Sequence, residues 1–276
     1  MGNTTFKLGE LEINRLGYGA MQLTGNGVFG EVEDRENAIK VLQEAVANGV
    51  NFIDTAEAYG PKLNESLIAD ALHPYKHDLL IATKGGFDRL GPNNWVPNGN
   101  PEKIRQDIEG SLQRLKVESI DLWQLHRIDP KVNVADTLAP VIEAVKEGKI
   151  KYVGLSEVTI DQIKQVQDIL PIVSVQNMYN LANRQWESVL DFTAEQGFAF
   201  IPWFPLASGP AKLEDKIKAI AEKHQATTAQ IALAWLLKRS SNILLIPGTK
   251  SIVHLKENLK AAEIELTDAE FESLAQ

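Results

Sequence analysis

The chain of 276 residues contains no cysteine. Disulfides, thiolate metal sites and cysteine nucleophiles are thereby excluded. Long apolar runs are missing too. No stretch approaches the roughly 18 residues that cross a bilayer as a helix, and Met1 to Lys7 lacks the apolar character of a signal peptide. Positive charge is scarce: 28 Lys and Arg face 37 Asp and Glu, a net charge of −9. No basic run stands out, which argues against a nucleic-acid surface. Of the five histidines, His73, His77, His224 and His254 fall in helical or linker segments, so no metal cluster is expected. The dinucleotide fingerprint G-x-G-x-x-G is absent as well. Gly17 and Gly19 start it, but position 22 is Gln. Glycine inside a strand then signals close approach by another backbone or a ligand. What remains is ordinary globular composition, 44% hydrophobic and 24% charged. The expectation is a cytoplasmic protein, one domain over 1–276, monomeric or weakly oligomeric, with no membrane or nucleic-acid partner.

What is present is an alternation. A hairpin, Thr4 to Leu8 and Leu11 to Ile13 around Gly9-Glu10, opens the chain. Apolar strands follow at 16–21, 50–54, 79–83, 120–125, 151–155, 172–175, 198–202 and 242–246. Helical periodicity fills 35–48, 64–72, 101–115, 134–147, 159–168, 185–196, 212–224, 227–239, 252–261 and 267–275. The strands are continuous apolar runs, as in a parallel sheet buried on both faces. Eight such units define an α/β fold, the (β/α)8 TIM barrel, with an N-terminal β-hairpin and extra C-terminal helices. The hairpin would plug the barrel bottom. Residues 85–100, rich in Gly, Asn and Pro and carrying Trp95, read as a long loop over the mouth. Phe29 and Trp95 are candidates to line an apolar pocket there.

Three strand ends carry ionisable residues: Asp54, Lys84 and His126. A barrel gathers such positions on one rim. Tyr59 follows Asp54 by five residues, with Gly60 and Pro61 to turn the loop. Asp54 as a helix cap is the plain alternative. The set suits proton donation to a carbonyl oxygen. An ammonium at Lys84 favours the phenolate of Tyr59, Asp54 holds Lys84 charged, and His126 orients the oxygen. Hydride must then come from a nicotinamide, because no side chain supplies it. Ser156 and Gln176, at the next strand ends, can hydrogen-bond a carboxamide, and Trp203 can stack on the ring. Gly248, Thr249, Lys250 and Ser251 precede a helix N-terminus and form a candidate phosphate site.

Over nearly its whole length the chain resembles the aldo-keto reductases. Asn51 to Gly60, Ile81 to Lys84, Leu122 to His126 and Ile246 to Ser251 with His254 to Asn258 carry the likeness, in order, on the expected elements. The resemblance implies a barrel, NADP(H) without a Rossmann domain, a small-molecule carbonyl substrate, and a tetrad of Asp54, Tyr59, Lys84 and His126. It also implies that Gly19, Ala20, Met21, Asp54, Ser156, Gln176, Trp203, Pro205, Leu206 and Gly248 line the cofactor site. The adenosine end would be held by Thr249, Lys250, Ser251, His254, Glu257 and Asn258. Three positions depart from the family pattern. Glu157 follows Ser156 where many members have Asn, Trp203 stands where Tyr is frequent, and His254 where many have Arg. Gly17 to Gly25 is similar to the bacterial subgroup containing pyridoxal reductases. Two other functions fit parts of the pattern: a Schiff-base lyase or aldolase using Lys84, and a cofactor-binding regulatory subunit.

Overall fold

The computed structural model describes residues 4–206 and 211–275. An antiparallel hairpin comes first, β1 (Thr5–Leu8) and β2 (Leu11–Asn14), with Leu8 opposite Leu11 across the turn. Seven parallel strands then form one sheet in chain order: β3 (Tyr18–Gly19), β4 (Phe52–Asp54), β5 (Leu80–Gly85), β8 (Ile120–Leu125), β9 (Ile150–Ser156), β10 (Ser174–Gln176) and β11 (Ala199–Phe200). The intervening pair, β6 (Phe87–Gly91) and β7 (Asn94–Pro97), stands apart as an antiparallel hairpin. The helices are α1 (Arg35–Ala47), α2 (Leu63–Leu72), α3 (Pro101–Leu115), α4 (Val134–Lys146), α5 (Ile160–Gln167), α6 (Glu187–Gln196), α7 (Ala211–His224), α8 (Thr228–Arg239), α9 (Ile252–Leu259) and α10 (Asp268–Ala275).

The expected eighth strand, 242–246, makes only isolated bridges. It still closes the barrel: Leu245 bridges Leu16 on one side and Ile243 bridges Phe200 on the other, both parallel. Backbone bonds of 2.8 Å from Gly17 N to Leu245 O, and of 2.9 Å from Leu244 N to Phe200 O, complete the ring. Pro247 ends the segment because it has no N–H to give. The first strand is likewise shorter than its apolar run. Ala20 to Gln22 turn into a 3-10 helix, so Ala20 and Met21 sit above the barrel rather than in it.

Glycine explains the tight seam. A Cβ on Gly19 would lie 2.5 Å from Ile246 O, and one on Gly248 would lie 2.7 Å from Gly19 O. The G-x-G pair therefore lets backbones meet at the closure. The barrel interior is packed by Phe52, Leu80, Ala82, Leu122, Ala199, Ile201, Leu244 and Ile246, and the hairpin adds Leu8 and Ile13 to this cluster. The plug expected from sequence is thus in place. Tyr152 fixes it, accepting the Glu10 N–H on its phenol oxygen at 3.0 Å. Buried apolar faces of the helices form the outer layer. Thr159 and Thr227 start α5 and α8 with capping boxes.

Residues 85–100 are not the irregular loop expected. Arg89 pairs with Trp95 and Phe87 with Pro97 across the hairpin, and Asn93 takes the left-handed turn conformation at φ 55°. The Gly-Pro-Asn-Asn sequence marks the turn, while the cross-strand pairs that flank it carry no local signal.

Candidate active site

Asp54 ends β4 and does not cap the following helix. Helix α2 begins beyond Lys62, with no side-chain cap. Its neighbour in the sheet supplies Lys84, from the last turn of the pleat in β5. The two form an ion pair at 2.5 Å that is essentially closed to solvent. Lys84 Nζ also donates to the Thr55 carbonyl at 2.8 Å and to the Tyr59 hydroxyl at 3.4 Å. All three ammonium hydrogens are therefore directed. The second Asp54 oxygen accepts from Gln176 Nε2 at 2.8 Å and Gln124 Nε2 at 3.2 Å. This is the network a buried carboxylate needs to stay charged.

The electrostatics follow from burial and pairing. Burial alone would pull the Lys84 pKa down, but Asp54 and Tyr59 outweigh it and the net shift is upward. Lys84 is thus an ammonium with no free lone pair, a poor Schiff-base nucleophile. Burial drives the Tyr59 pKa up, Lys84 opposes this, and Asp54 reinforces it; the net direction is upward. Sequence suggested the reverse balance, because the desolvation of a fully enclosed phenol is not visible there. Tyr59 consequently keeps its proton at neutral pH and has an ammonium ready to stabilise the phenolate. Burial, then the positive charges of Lys84, Arg127 and Arg89, holds the His126 pKa well below the ordinary histidine range. His126 is neutral, and its Nδ1 is buried with no hydrogen-bond partner among the described residues.

Aromatic edges surround this group. Phe87 meets His126 edge-on at 4.6 Å between centroids, and Tyr59 and Trp95 meet at 6.2 Å. Arg89 stacks on Trp95 at 3.5 Å and donates to the carbonyls of Gly27, Val28, Ala58 and Asn94. It ties the hairpin to the loop that carries Tyr59. Gly60, at φ 102°, turns that loop as the sequence suggests. Of the two candidate lining aromatics, Trp95 does face the cavity. Phe29 does not: it packs beside Arg89, and Val28 lines the wall instead.

Glu57, in the same loop, belongs to a buried charge cluster with Asp107, Lys103, Arg114 and Glu65. Burial, then Asp107, raises its pKa to about 7. The native chain then holds a proton there that the unfolded chain releases at its ordinary value. Stability conferred by this proton is full at low pH and is lost as pH rises towards 7. Glu57→Gln is expected to flatten the pH dependence of Tm across that window. Above pH 7 it should raise Tm by a few degrees, roughly the effect of 1 kcal/mol. A melting series from pH 5 to 8.5 measures this; an unchanged slope would refute it.

Asp54, Tyr59 and His126 line a cavity of about 810 Å³, with Lys84 buried behind them. Of the expected cofactor residues, Gly19, Met21, Asp54, Ser156, Gln176, Trp203, Pro205, Leu206 and Gly248 line it. Ser156 Oγ accepts from Arg127 at 2.9 Å and keeps its own hydrogen to donate. The Gln176 amide hydrogen goes to Asp54, which leaves its oxygen as the free group. Glu157 takes the left-handed backbone conformation at φ 54°. Its carboxylate accepts the Trp203 indole N–H at 2.7 Å and the Met178 N–H at 2.5 Å. It therefore orients Trp203 rather than pointing at a carboxamide. An indole face, a hydroxyl donor and an amide oxygen, beside the His126 imidazole in the same cavity wall, fit a nicotinamide and a carbonyl.

The remaining expected residues lie outside this cavity. Ala20 is buried. The Thr249 hydroxyl accepts the Ser251 N–H, and Ser251 caps α9 by accepting from His254 N. Lys250 is exposed and borders a separate recess of about 300 Å³ with Glu33, Asp34 and Asn37. His254 is exposed, Glu257 half-buried and Asn258 buried along α9. Sequence reasoning missed Gln124, Arg127 and Phe87. Gln124 had a signal: it lies two residues before His126, so strand alternation sends both inward.

A closed (β/α)8 barrel with a buried ion pair, a phenol and an imidazole at its C-terminal rim has the architecture of a barrel enzyme with an acid–base site. Residues 15–276 match the Aldo/keto reductase family, and the chain belongs to that family. It is 49% identical to an uncharacterized oxidoreductase of Schizosaccharomyces pombe, covering 98% of this chain and 88% of that one. It is 41% identical to pyridoxine 4-dehydrogenase of Escherichia coli, covering 97% and 96%. A thermostable aldo-keto reductase solved with the inhibitor epalrestat superposes with a TM-score of 0.88 at 30% identity, covering 98% of each chain. An aldo-keto reductase of Klebsiella pneumoniae in complex with NADPH shares the fold, with a TM-score of 0.84 at 24% identity and coverage of 99% and 94%. No described helix is long and apolar enough to cross a membrane.

Proposed function

We propose that the protein is an NADPH-dependent reductase of aldehydes or ketones, with Tyr59 as proton donor. The observation that carries this reading is Lys84 Nζ held at 2.5 Å from Asp54 and 3.4 Å from the Tyr59 hydroxyl in a buried site. When bound, the nicotinamide supplies the hydride. The chain's own residues handle the oxygen. His126, a neutral imidazole in the cavity wall, hydrogen-bonds the carbonyl oxygen and aligns it with the phenol. As negative charge develops there, Tyr59 gives up its proton, and Lys84 stabilises the phenolate left behind. Asp54 keeps Lys84 charged and fixed. In the reverse direction the same phenolate removes the alcohol proton.

For the cofactor, Ser156 and Gln176 would hold the carboxamide and Trp203 the ring face. Pro205, Leu206, Gly19, Met21 and Gly248 line the same cavity. Thr249, Lys250, Ser251 and His254, at the start of α9, would hold the phosphates, with Glu257 and Asn258 near the adenine. Support for NADPH comes from the family and from the Klebsiella relative's complex. Lys250→Ala is expected to raise the Kd for NADPH about tenfold, near 1.4 kcal/mol, and to affect NADH much less. Fluorescence titration with both cofactors measures this, and equal effects would remove Lys250 from 2′-phosphate recognition. The E. coli relative makes pyridoxal and pyridoxine a substrate pair to test first.

A panel of aldehydes and ketones, pyridoxal included, assayed with NADPH and NADH tests the function. Reduction of at least one member with NADPH supports it. Tight NADPH binding with no turnover of any member would replace it with a regulatory, cofactor-binding role.

A further inference from the structure

The guanidinium of Arg127 is a charge in the active-site cavity that the fold leaves without a counterion. Arg127 directly follows His126 and lines the same cavity. Its Nη1 donates to the His126 carbonyl at 2.6 Å and to Ser156 Oγ at 2.9 Å. Both acceptors are neutral. No carboxylate among the described residues lies within 4.0 Å of it. Glu157 is the acid whose field reaches Arg127 most strongly, yet its Oε1 already accepts from Trp203 and Met178. Burial without a partner lowers the Arg127 pKa. Arg89, across the mouth, is a different case: its guanidinium is spent on backbone carbonyls and on the Trp95 face.

The position matters as much as the charge. Arg127 lies 5.7 Å from the centroid of Phe87, and Phe87 lies 4.6 Å from that of His126. The cation and His126 thus flank the same aromatic ring in the wall of the cavity where a carbonyl oxygen would meet His126 and Tyr59. We propose, building on the reductase reading, that Arg127 selects carbonyl substrates that also carry a carboxylate on a small aromatic frame. The guanidinium pairs with that acid while Tyr59, Phe87 and Trp95 enclose the ring. A guanidinium suits this role because it is planar, always charged, weakly hydrated, and can offer two parallel donors to a carboxylate. In a chain of net charge −9, a local cation is also what draws an anion into the mouth. An uncharged analogue would leave Arg127 as unpaired as it is now and gain nothing from it.

The test compares 2-, 3- and 4-carboxybenzaldehyde with their methyl esters, each reduced with NADPH. At least one acid should exceed its own ester in kcat/KM by about tenfold or more. Arg127→Met should bring that ratio down to about one, and Arg127→Lys should keep part of it. Taking the ratio within one variant cancels any loss of cofactor affinity through Ser156. A second readout needs no turnover: calorimetric binding of terephthalate and of its monomethyl ester to the protein with saturating NADP+. One carboxylate is common to both ligands, so the difference reports the second acid alone. Terephthalate should bind more tightly to the native chain and equally to Arg127→Met. Equal kcat/KM for every acid and ester in the native enzyme would overturn the proposal, as would a ratio unchanged by Arg127→Met. If no aldehyde is reduced, the reductase reading falls, and the terephthalate pair alone decides whether Arg127 binds the acid.

Discussion

Tyr59→Phe is expected to lower kcat/KM for carbonyl reduction by about three orders of magnitude, within the range that general acids contribute. NADPH affinity and thermal stability should change little. Among the described residues the phenol oxygen makes a single long hydrogen bond, 3.4 Å from Lys84 Nζ, so removing it leaves no strongly paired group orphaned. The substitution also preserves the ring that meets Trp95 and His126 edge-on. Loss of rate with retained binding is the signature of a group that acts on the transition state alone. Steady-state kinetics with NADPH titrated by fluorescence separates the two. If Tyr59→Phe retains more than about a tenth of the native rate, another group protonates the oxygen, and Tyr59 is a wall of the pocket.

Lys84→Met should be costly in a second way. It removes the cation from a pair closed to solvent and leaves Asp54 with only the amides of Gln124 and Gln176. Breaking a buried pair from one side costs about 3–5 kcal/mol, which for a chain of this length is a Tm loss on the order of 10 °C. Reduction should be lost as well, since Tyr59 no longer has a cation to stabilise its conjugate base. The double substitution Lys84→Met with Asp54→Leu separates the effects. It should recover much of the stability, because no unpaired charge remains, and none of the activity. A Lys84→Met protein as stable as the native chain would mean that Asp54 is already neutral, and the assignment of Lys84 as an ammonium would fail.

The convergence of Asp54, Lys84 and His126 is legible in sequence because strands and helices alternate at a regular length and each of these residues ends a strand. Tyr59 is legible because it follows Asp54 within a loop too short to leave the rim. Gln124 and Arg127 are harder to read. They neighbour a readable residue, but their importance depends on a carboxylate and a hydroxyl brought in by other strands. Hairpin 87–97 escapes for a related reason: its signal is a set of cross-strand pairs around an ordinary turn. The direction of the Tyr59 shift is set by enclosure, which belongs to the packed molecule rather than to any segment. Thr249 to Asn258 read as one motif. In the fold they spread between the seam, the cap of α9 and both its exposed and its buried side, outside the lining of the active-site cavity.

The fastening of hairpin 87–97 by Arg89 has a practical meaning for altering what the protein accepts. One side chain joins three chain segments: the loop around Gly27 and Val28, the carbonyl of Ala58 beside Tyr59, and the hairpin itself. Position 97, which lines the cavity, can be randomised to reshape it while Arg89 keeps its stack on Trp95 and the acid–base group stays aligned. Randomising position 89 instead would cut the tie to Tyr59. A mutant library that spares Arg89 should therefore yield altered substrate preference, and one that includes it should yield mostly inactive proteins.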